Sequence, residues 1–254
     1  TGGVGRIGLL VARDLAARGA RHLCLLSRSG VTTPEQRAHV AAIEALGAHV
    51  RVVTADVTDR VAMTKVIREL TDVGPLAGVV HAAGLPGYID LAKLSAAELS
   101  AVLQPKIQGT WNLHALTRDL ALDFFVCFSS IASAWGSRGQ AHYSAGNVFL
   151  DAIAHVRHAE GLPSVTINWG PWVEGGMTTP EAATLLRRVG IRALSTNQAV
   201  RAFGALAAGR APQVVVADID WALFKGSYEA RGHRPLLERI VAVADEVGGG
   251  TDGA

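Results

Sequence analysis

"TGGVGRIGLLVARDLAARGARHLCLLSRSG" (residues 1–30) opens in a glycine turn, runs through a helical pattern over 6–18 and ends in the short apolar run "HLCLLS" (22–27). Turn, helix and buried strand in that order are the repeating unit of an α/β chain, and the unit recurs to the end. "HVRVVTA" (49–55), "LAGVVHA" (76–82), "DFFVCFS" (123–129), "PSVTINW" (163–169) and "QVVVADI" (213–219) read as further strands. They are short and mostly apolar, as strands covered on both faces are. Helical patterns fill the intervals at 34–47, 59–72, 96–118, 144–160 and 197–209. Regular alternation predicts a doubly wound parallel sheet of Rossmann-like type. The glycine turn should follow a first, central strand, so the reading expects an excerpt of a longer polypeptide with a gap in its sheet. Residues 1–240 are read as one catalytic domain, and "EVGGGTDGA" within 241–254 as the start of a flexible linker.

Composition narrows the function. The 254 residues are 49% hydrophobic and only 18% charged, with 28 glycines, which suits a buried sheet joined by tight turns. A net charge of +2 with scattered Lys and Arg gives no basic face for nucleic acid. No apolar run is long enough to span a bilayer. Cys24 and Cys127 sit in strand-like runs and read as two buried thiols, which points to a cytoplasmic protein. No metal site is expected.

Gly3, Gly5 and Gly8 form G-x-G-x-x-G ahead of a helix, with Thr1, Arg6 and Ile7 in the same turn. Glycines let a backbone approach a pyrophosphate, and the helix N-terminus offers unpaired N–H groups to its charge. A site for NAD would carry Asp or Glu after the next strand. Ser27 and Arg28 stand there instead, a hydroxyl and a cation that suit the 2′-phosphate of NADPH; the alternative is a solvated Arg at a strand end. Asp56 and Val57 are placed at the adenine edge, Asp56 or Asp59 otherwise capping the next helix. Ala82, Ala83 and Gly84 are small enough for a backbone to pass close to a cofactor. His81 reads as ordering a turn.

The passage "SSIASAWGSRGQAHYSAGN" (129–147) gathers the chemistry. Tyr143 can donate a proton to a developing alkoxide if a nearby ammonium brings its pKa down from about 10. Ser130 can hold the carbonyl oxygen. Asn147 lies one helical turn after Tyr143, on the same face, where it can orient water or a Lys.

Ser130, Tyr143 and Asn147, with Lys106 in "QPKIQGTWNLH", "TGGVGRIG" and "NWGPW" (168–172), resemble the short-chain dehydrogenase/reductase superfamily. More narrowly they resemble the ketoreductase domains of modular type I polyketide synthases, in which the Lys and Asn positions are exchanged relative to other members. The resemblance spans Thr1 to about Leu237. It implies NADPH-dependent reduction of a β-ketoacyl thioester presented by an acyl carrier protein. It makes Lys106, Ser130, Tyr143 and Asn147 the catalytic set and puts Gly170 and Pro171 beside the nicotinamide, with backbone groups for its carboxamide. The stretch "VEGGMTTPEAATLLRRVG" after Trp172, with its Gly-Gly pair, Met177 and then Leu185 and Leu186, reads as a lid; Trp172 and Met177 contact the acyl chain or form the lid's core.

The resemblance also implies a stereochemical class. "LPGYID" replaces the Leu-Asp-Asp motif of one class, whereas Trp135, eight before Tyr143, marks the A type, which forms an L-β-hydroxyl. Gln140, three before Tyr143, favours the first subtype, and His142 is not that marker. Trp135 as ordinary core stays open. An upstream structural subdomain of the same polypeptide is implied as a partner. The rival readings are a stand-alone alcohol or sugar dehydrogenase, which should carry its own first strand, and a scaffold domain, which should have lost the catalytic set.

Overall fold

The computed structural model describes residues 1–174 and 179–240. Helix α1 (Arg6–Ala17) leaves the glycine turn and leads to strand β1 (His22–Ser27), and α2 (Pro34–Glu44) leads to β2 (His49–Thr54). Then follow α3 (Arg60–Val73), β3 (Gly78–His81), α4 (Ala96–Thr117) and β4 (Phe124–Ser130). A short α5 (Ile131–Trp135) and α6 (Ala141–Ala159) precede β5 (Val165–Trp169). The remainder comprises α7 (Pro180–Arg188), β6 (Ile191–Arg192), α8 (Thr196–Ala207), β7 (Gln213–Val216), β8 (Asp218–Ile219) and α9 (Trp221–Tyr228).

β4 explains the layers. Its alternate side chains separate to opposite faces, as the pleat requires. Val126 and Phe128 join Val11, Ile167, Trp169 and Phe203 under α1 and α8. Phe125 and Cys127 join Met63, Leu113 and Leu150 under α3, α4 and α6. Phe125, Val126 and Ile167 are fully buried, and each side chain of this kind stabilises the fold by about 1.5–3 kcal/mol.

The strand pairs β1–β2, β3–β4, β4–β5 and β5–β7 are all parallel. The sheet is nevertheless in two parts, β2-β1 and β3-β4-β5-β7. Residues 1–3 stitch them at one end: Gly3 N donates to Leu26 O (3.1 Å), Thr1 N to Val80 O (2.7 Å) and Ala82 N to Thr1 O (3.0 Å). The break falls between β1 and β3.

Two expectations need correction. Residues 213–219 are not one strand: the chain leaves β7 at Ala217, and β8 pairs antiparallel with β6 in a separate ribbon. The helix expected from 144 begins at Ala141, so Tyr143 and Asn147 share it. Between β4 and α6 lies the short α5, whose first turn is capped by Ser130 Oγ accepting from Ala132 N (3.2 Å). Asp59 does cap α3, accepting from Val61 N and Ala62 N. Both cysteines are free thiols, Cys127 buried and Cys24 half-buried. No described helix is long and apolar enough to cross a membrane. The expected linker, 241–254, lies outside the described residues.

Candidate active site

Parallel strands aim their C-terminal ends at one edge of the sheet, and loops from that edge enclose a cleft. Its walls include Ile7 of α1, Ala82 and Gly84 after β3, Lys106 of α4, Ser130 at the end of β4 and Tyr143 of α6. Side chains far apart in sequence are thus brought to one cleft.

Lys106 is the least expected of them, at 3% exposure. A Cβ at Gly146 would stand 3.2 Å from Lys106 Cδ, so a glycine in α6 leaves room for the lysine stem. Nζ donates to Phe128 O (3.3 Å) and lies 5.7 Å from the Tyr143 ring centre. Burial pushes the ammonium down to about 8, against the opposing influence of Cys127 and Asp151.

Tyr143 departs from the expectation in sign. Burial raises its pKa above the ordinary phenol value, while the Ser130 and Asn147 side chains pull it the other way. Desolvation outweighs those hydrogen bonds, and the side chain rests as a neutral O–H. Asn147 is fully buried; Nδ2 donates to Tyr143 O (2.8 Å), and Oδ1 has no protein partner. An orphaned buried acceptor beside Tyr143 is a seat for water or another donor.

His81 does more than order a turn. Fully buried, it joins Thr1 Oγ1 (Nδ1, 2.6 Å) to Pro105 O (Nε2, 3.1 Å) and so pins the glycine turn to α4. Burial above all, with positive charge nearby, keeps its pKa well below the usual value.

The glycine turn fits a dinucleotide. Gly2, outside the G-x-G-x-x-G count, takes φ +68°, and a Cβ there would meet Ala82 and Ala83 backbone at 2.8 Å. A Cβ on Gly3 would lie 2.8 Å from Leu25 Cα, and one on Gly8 2.3 Å from Gly2 O. Gly5 is the exposed N-cap of α1 and supplies no capping side chain, and Arg6 beside it is exposed. The helix end is therefore open to an anion. Ser27 Oγ accepts from Gly30 N (2.9 Å), and the exposed Arg28 makes no ion pair among the described residues. Asp56 Oδ1 is engaged by Thr58 N and Oγ1. The Val57 side chain is buried in the core, and its carbonyl accepts from Asn112 Nδ2. Sequence reasoning missed Asn112, which fixes this loop from α4.

Around "NWGPW" three backbone hydrogen bonds tie the segment to the fold. Gly170 N donates to Val216 O, Leu194 N donates to Pro171 O, and Val173 N donates to Leu194 O. These bonds fix the segment in place, and Gly170 and Pro171 line the cleft. Trp172 is buried against Phe128 and Trp169, yet it also lines the cleft. Leu186 faces the cleft whereas Leu185 is exposed; the Gly-Gly pair and Met177 lie outside the described residues.

Trp135 and Gln140 line the far side of the cleft. Phe224 of α9 packs on Trp135 (5.1 Å between ring centres), and Tyr228 Oη donates to Trp135 O (3.0 Å). Trp135 is thus both a wall and part of a small core. The "LPGYID" loop is tied to it by Ile89 N donating to Gly139 O (2.8 Å). His142 packs beneath that loop, where a Cβ on Gly87 would be 2.2 Å from Nε2.

The family model described as the KR domain matches residues 1–174. Polyketide synthase GfsA of Streptomyces halstedii is 43% identical over 94% of the chain, which covers 3% of that protein. The ketoreductase from the first module of phoslactomycin biosynthesis in Streptomyces sp. HK803 shares 40% identity at a TM-score of 0.87, over 93% of this chain and 56% of that one. A structure of A-type ketoreductases from a modular polyketide synthase shares 38% at 0.90, over 94% and 51%. The chain therefore spans a small part of its curated relative and about half of each solved structure. With the parallel sheet, the glycine turn and the Ser130–Tyr143 cleft, these matches place the chain in the ketoreductase domain family of modular polyketide synthases, within the short-chain dehydrogenase/reductase superfamily.

Proposed function

We propose that this chain carries the catalytic site of an NADPH-dependent β-ketoacyl reductase that forms an L-β-hydroxyacyl thioester, as an A-type domain of the first subtype. The observation that carries the reading is the meeting of Ser130, Tyr143 and a buried Lys106 at one cleft, with Asn147 buried behind Tyr143 and bonded to its carbonyl. The substrate is a thioester held on an acyl carrier protein, with an upstream structural subdomain of the same polypeptide as neighbour. Residues 1–240 form the catalytic unit, and 241–254 lead to the next domain. The two free thiols suit a reducing, cytoplasmic setting.

NADPH, when bound, supplies the hydride. Thr1, Gly3, Gly5, Arg6, Ile7 and Gly8 hold its pyrophosphate end. Ser27 and Arg28 hold the 2′-phosphate, the backbone at Asp56 and Val57 meets the adenine, and Ala82, Ala83 and Gly84 pass beneath. Ser130 holds the substrate oxygen, and Tyr143 gives it a proton from Oη. Lys106 offers positive charge beside the phenol, which favours release of that proton. Asn147 Oδ1 seats the water or donor that returns it.

The cofactor assignment predicts a preference. NADPH binds at least about tenfold more tightly than NADH, the value of one charge-assisted hydrogen bond, and Arg28→Glu abolishes the difference. Titration of nicotinamide fluorescence measures both constants; equal affinities in the parent protein refute the role of Arg28.

The full protein, given NADPH and a racemic 2-methyl-3-ketoacyl thioester, consumes the reduced cofactor and yields a single L-3-hydroxy isomer on a chiral column. A predominantly D product overturns the assignment of Trp135. Cofactor binding without turnover by the folded protein favours the scaffold reading instead.

A further inference from the structure

Beneath the catalytic side chains lies a buried carboxylate that the reduction does not use. Asp151, on α6, is 7% exposed, and its neighbour Asn168, on β5, is fully buried. Asn168 Nδ2 lies 3.0 and 2.9 Å from the two Asp151 oxygens, 3.1 Å from Ser129 Oγ and 2.7 Å from Ser133 Oγ. The hydroxyls pass the contact on. Ser133 Oγ donates to Ser130 O (2.8 Å), and Ser129 Oγ donates to Asn147 O (3.3 Å). The amide orientation is set by the carboxylate, because Oδ1 turned towards Asp151 would bring two acceptors face to face.

We infer that Asp151 and Asn168 are positioning residues for the proposed reduction: they lock the Ser130 end of β4 and the Asn147 turn of α6 together and supply a buried counter-charge for Lys106. The inference rests on the reductase reading. Two amide protons are a thin return for burying a carboxylate. The second return is at Lys106, whose burial disfavours its charge.

Asn168 joins Asp151 to Ser129, and the carbonyl of the preceding residue, Phe128, takes Lys106 Nζ, so the carboxylate and the ammonium belong to one buried network. His81 from β3, Cys127 from β4 and Tyr143 from α6 are the other titratable groups around Lys106. His81 is held neutral, Tyr143 keeps its proton and burial pushes the Cys127 thiol up to about 12. The Asp151 carboxylate opposes the effect of burial and raises the Lys106 pKa. The ammonium is present below about 8 and is lost above it; without Asp151 that loss comes at lower pH.

The test compares the full protein with two variants, using NADPH and a 3-ketoacyl thioester. Asp151→Asn keeps the shape and removes the charge. It lowers kcat at least about fivefold, the worth of one hydrogen bond, and moves the alkaline limb of the kcat profile down by about one unit. Asn168→Ala breaks the bridge and keeps the charge, so kcat falls while the limb stays. The dissociation constant for NADPH holds in both. An alkaline limb that stays in place in Asp151→Asn overturns the inference, as does parent-like kcat in either variant. Should Asp151→Asn fail to fold, Ser129→Ala severs the same link with one atom. A fall in kcat at unchanged NADPH affinity then supports the inference, and parent-like kcat overturns it. An inactive parent overturns the reductase reading, and this inference with it; an active parent with unaffected variants overturns the inference alone.

Discussion

Tyr143→Phe folds and binds NADPH with parent-like affinity but reduces a 3-ketoacyl thioester at least about a hundredfold more slowly, the low end for loss of a general acid. That factor corresponds to about 2.7 kcal/mol of barrier. The expectation separates the hydroxyl from the ring. The ring rests against the Lys106 stem side of the cleft, its centre 5.7 Å from Nζ, and a phenylalanine keeps that packing. What disappears is the proton. Burial holds the parent phenol in its neutral form, so the donor is loaded before substrate arrives, and no other described group takes its place. His81 is fully buried and engaged at both ring nitrogens, and Cys127 is buried with its thiol pushed up to about 12. Stopped-flow measurement of cofactor oxidation gives the rate, and a thermal melt checks the fold. A variant within a few-fold of the parent removes Tyr143 from the mechanism.

The parallel sheet could be read from the chain because apolar runs bounded by turns announce buried strands, and β4 shows why: Phe124 to Phe128 satisfy two cores at once, one on each face. The site was legible where chemistry follows chain order. Tyr143 and Asn147 lie one turn apart in the same helix, and Ser130 ends the strand just before it. It was illegible where packing decides. A lysine inside a helix reads as solvated, and its burial depends on a glycine forty residues on, Gly146, that has no side chain to obstruct it. Asp151 and Asn168 belong to two different elements and meet only once α6 lies across β5. The sign of the Tyr143 shift was missed for the same reason: the ammonium was visible in the sequence, but the depth of burial was not. Nor does a residue type say which backbone groups at Gly170 and Pro171 remain free, since their partners, Val216 and Leu194, come from later in the chain.

Gly8→Ala and Gly5→Ala separate two uses of glycine in the turn at residues 2–8. A Cβ at Gly8 would lie 2.3 Å from Gly2 O and 2.9 Å from the Gly3 backbone. These are backbone atoms, and no rotamer change relieves them, so α1 must move away from the turn. Overpacking of that kind costs about 1–3 kcal/mol of stability. It also displaces the groups that would hold the pyrophosphate, and a displacement of about 1 Å lowers kcat/KM for NADPH on the order of a hundredfold. Gly5 differs in both respects. It is exposed, its φ is −70°, and a Cβ there would be 3.2 Å from Gly2 O. Alanine at this position leaves the melting temperature of the cofactor-free protein within about two degrees. It still weakens NADPH, because the methyl group stands where the ligand approaches the helix end. The paired measurement is a thermal melt with and without NADPH. Gly8→Ala lowers the melting temperature in both conditions, whereas Gly5→Ala lowers only the increment that NADPH adds. If both variants keep the full increment, the cofactor is not held by this turn, and the placement of its pyrophosphate at α1 fails.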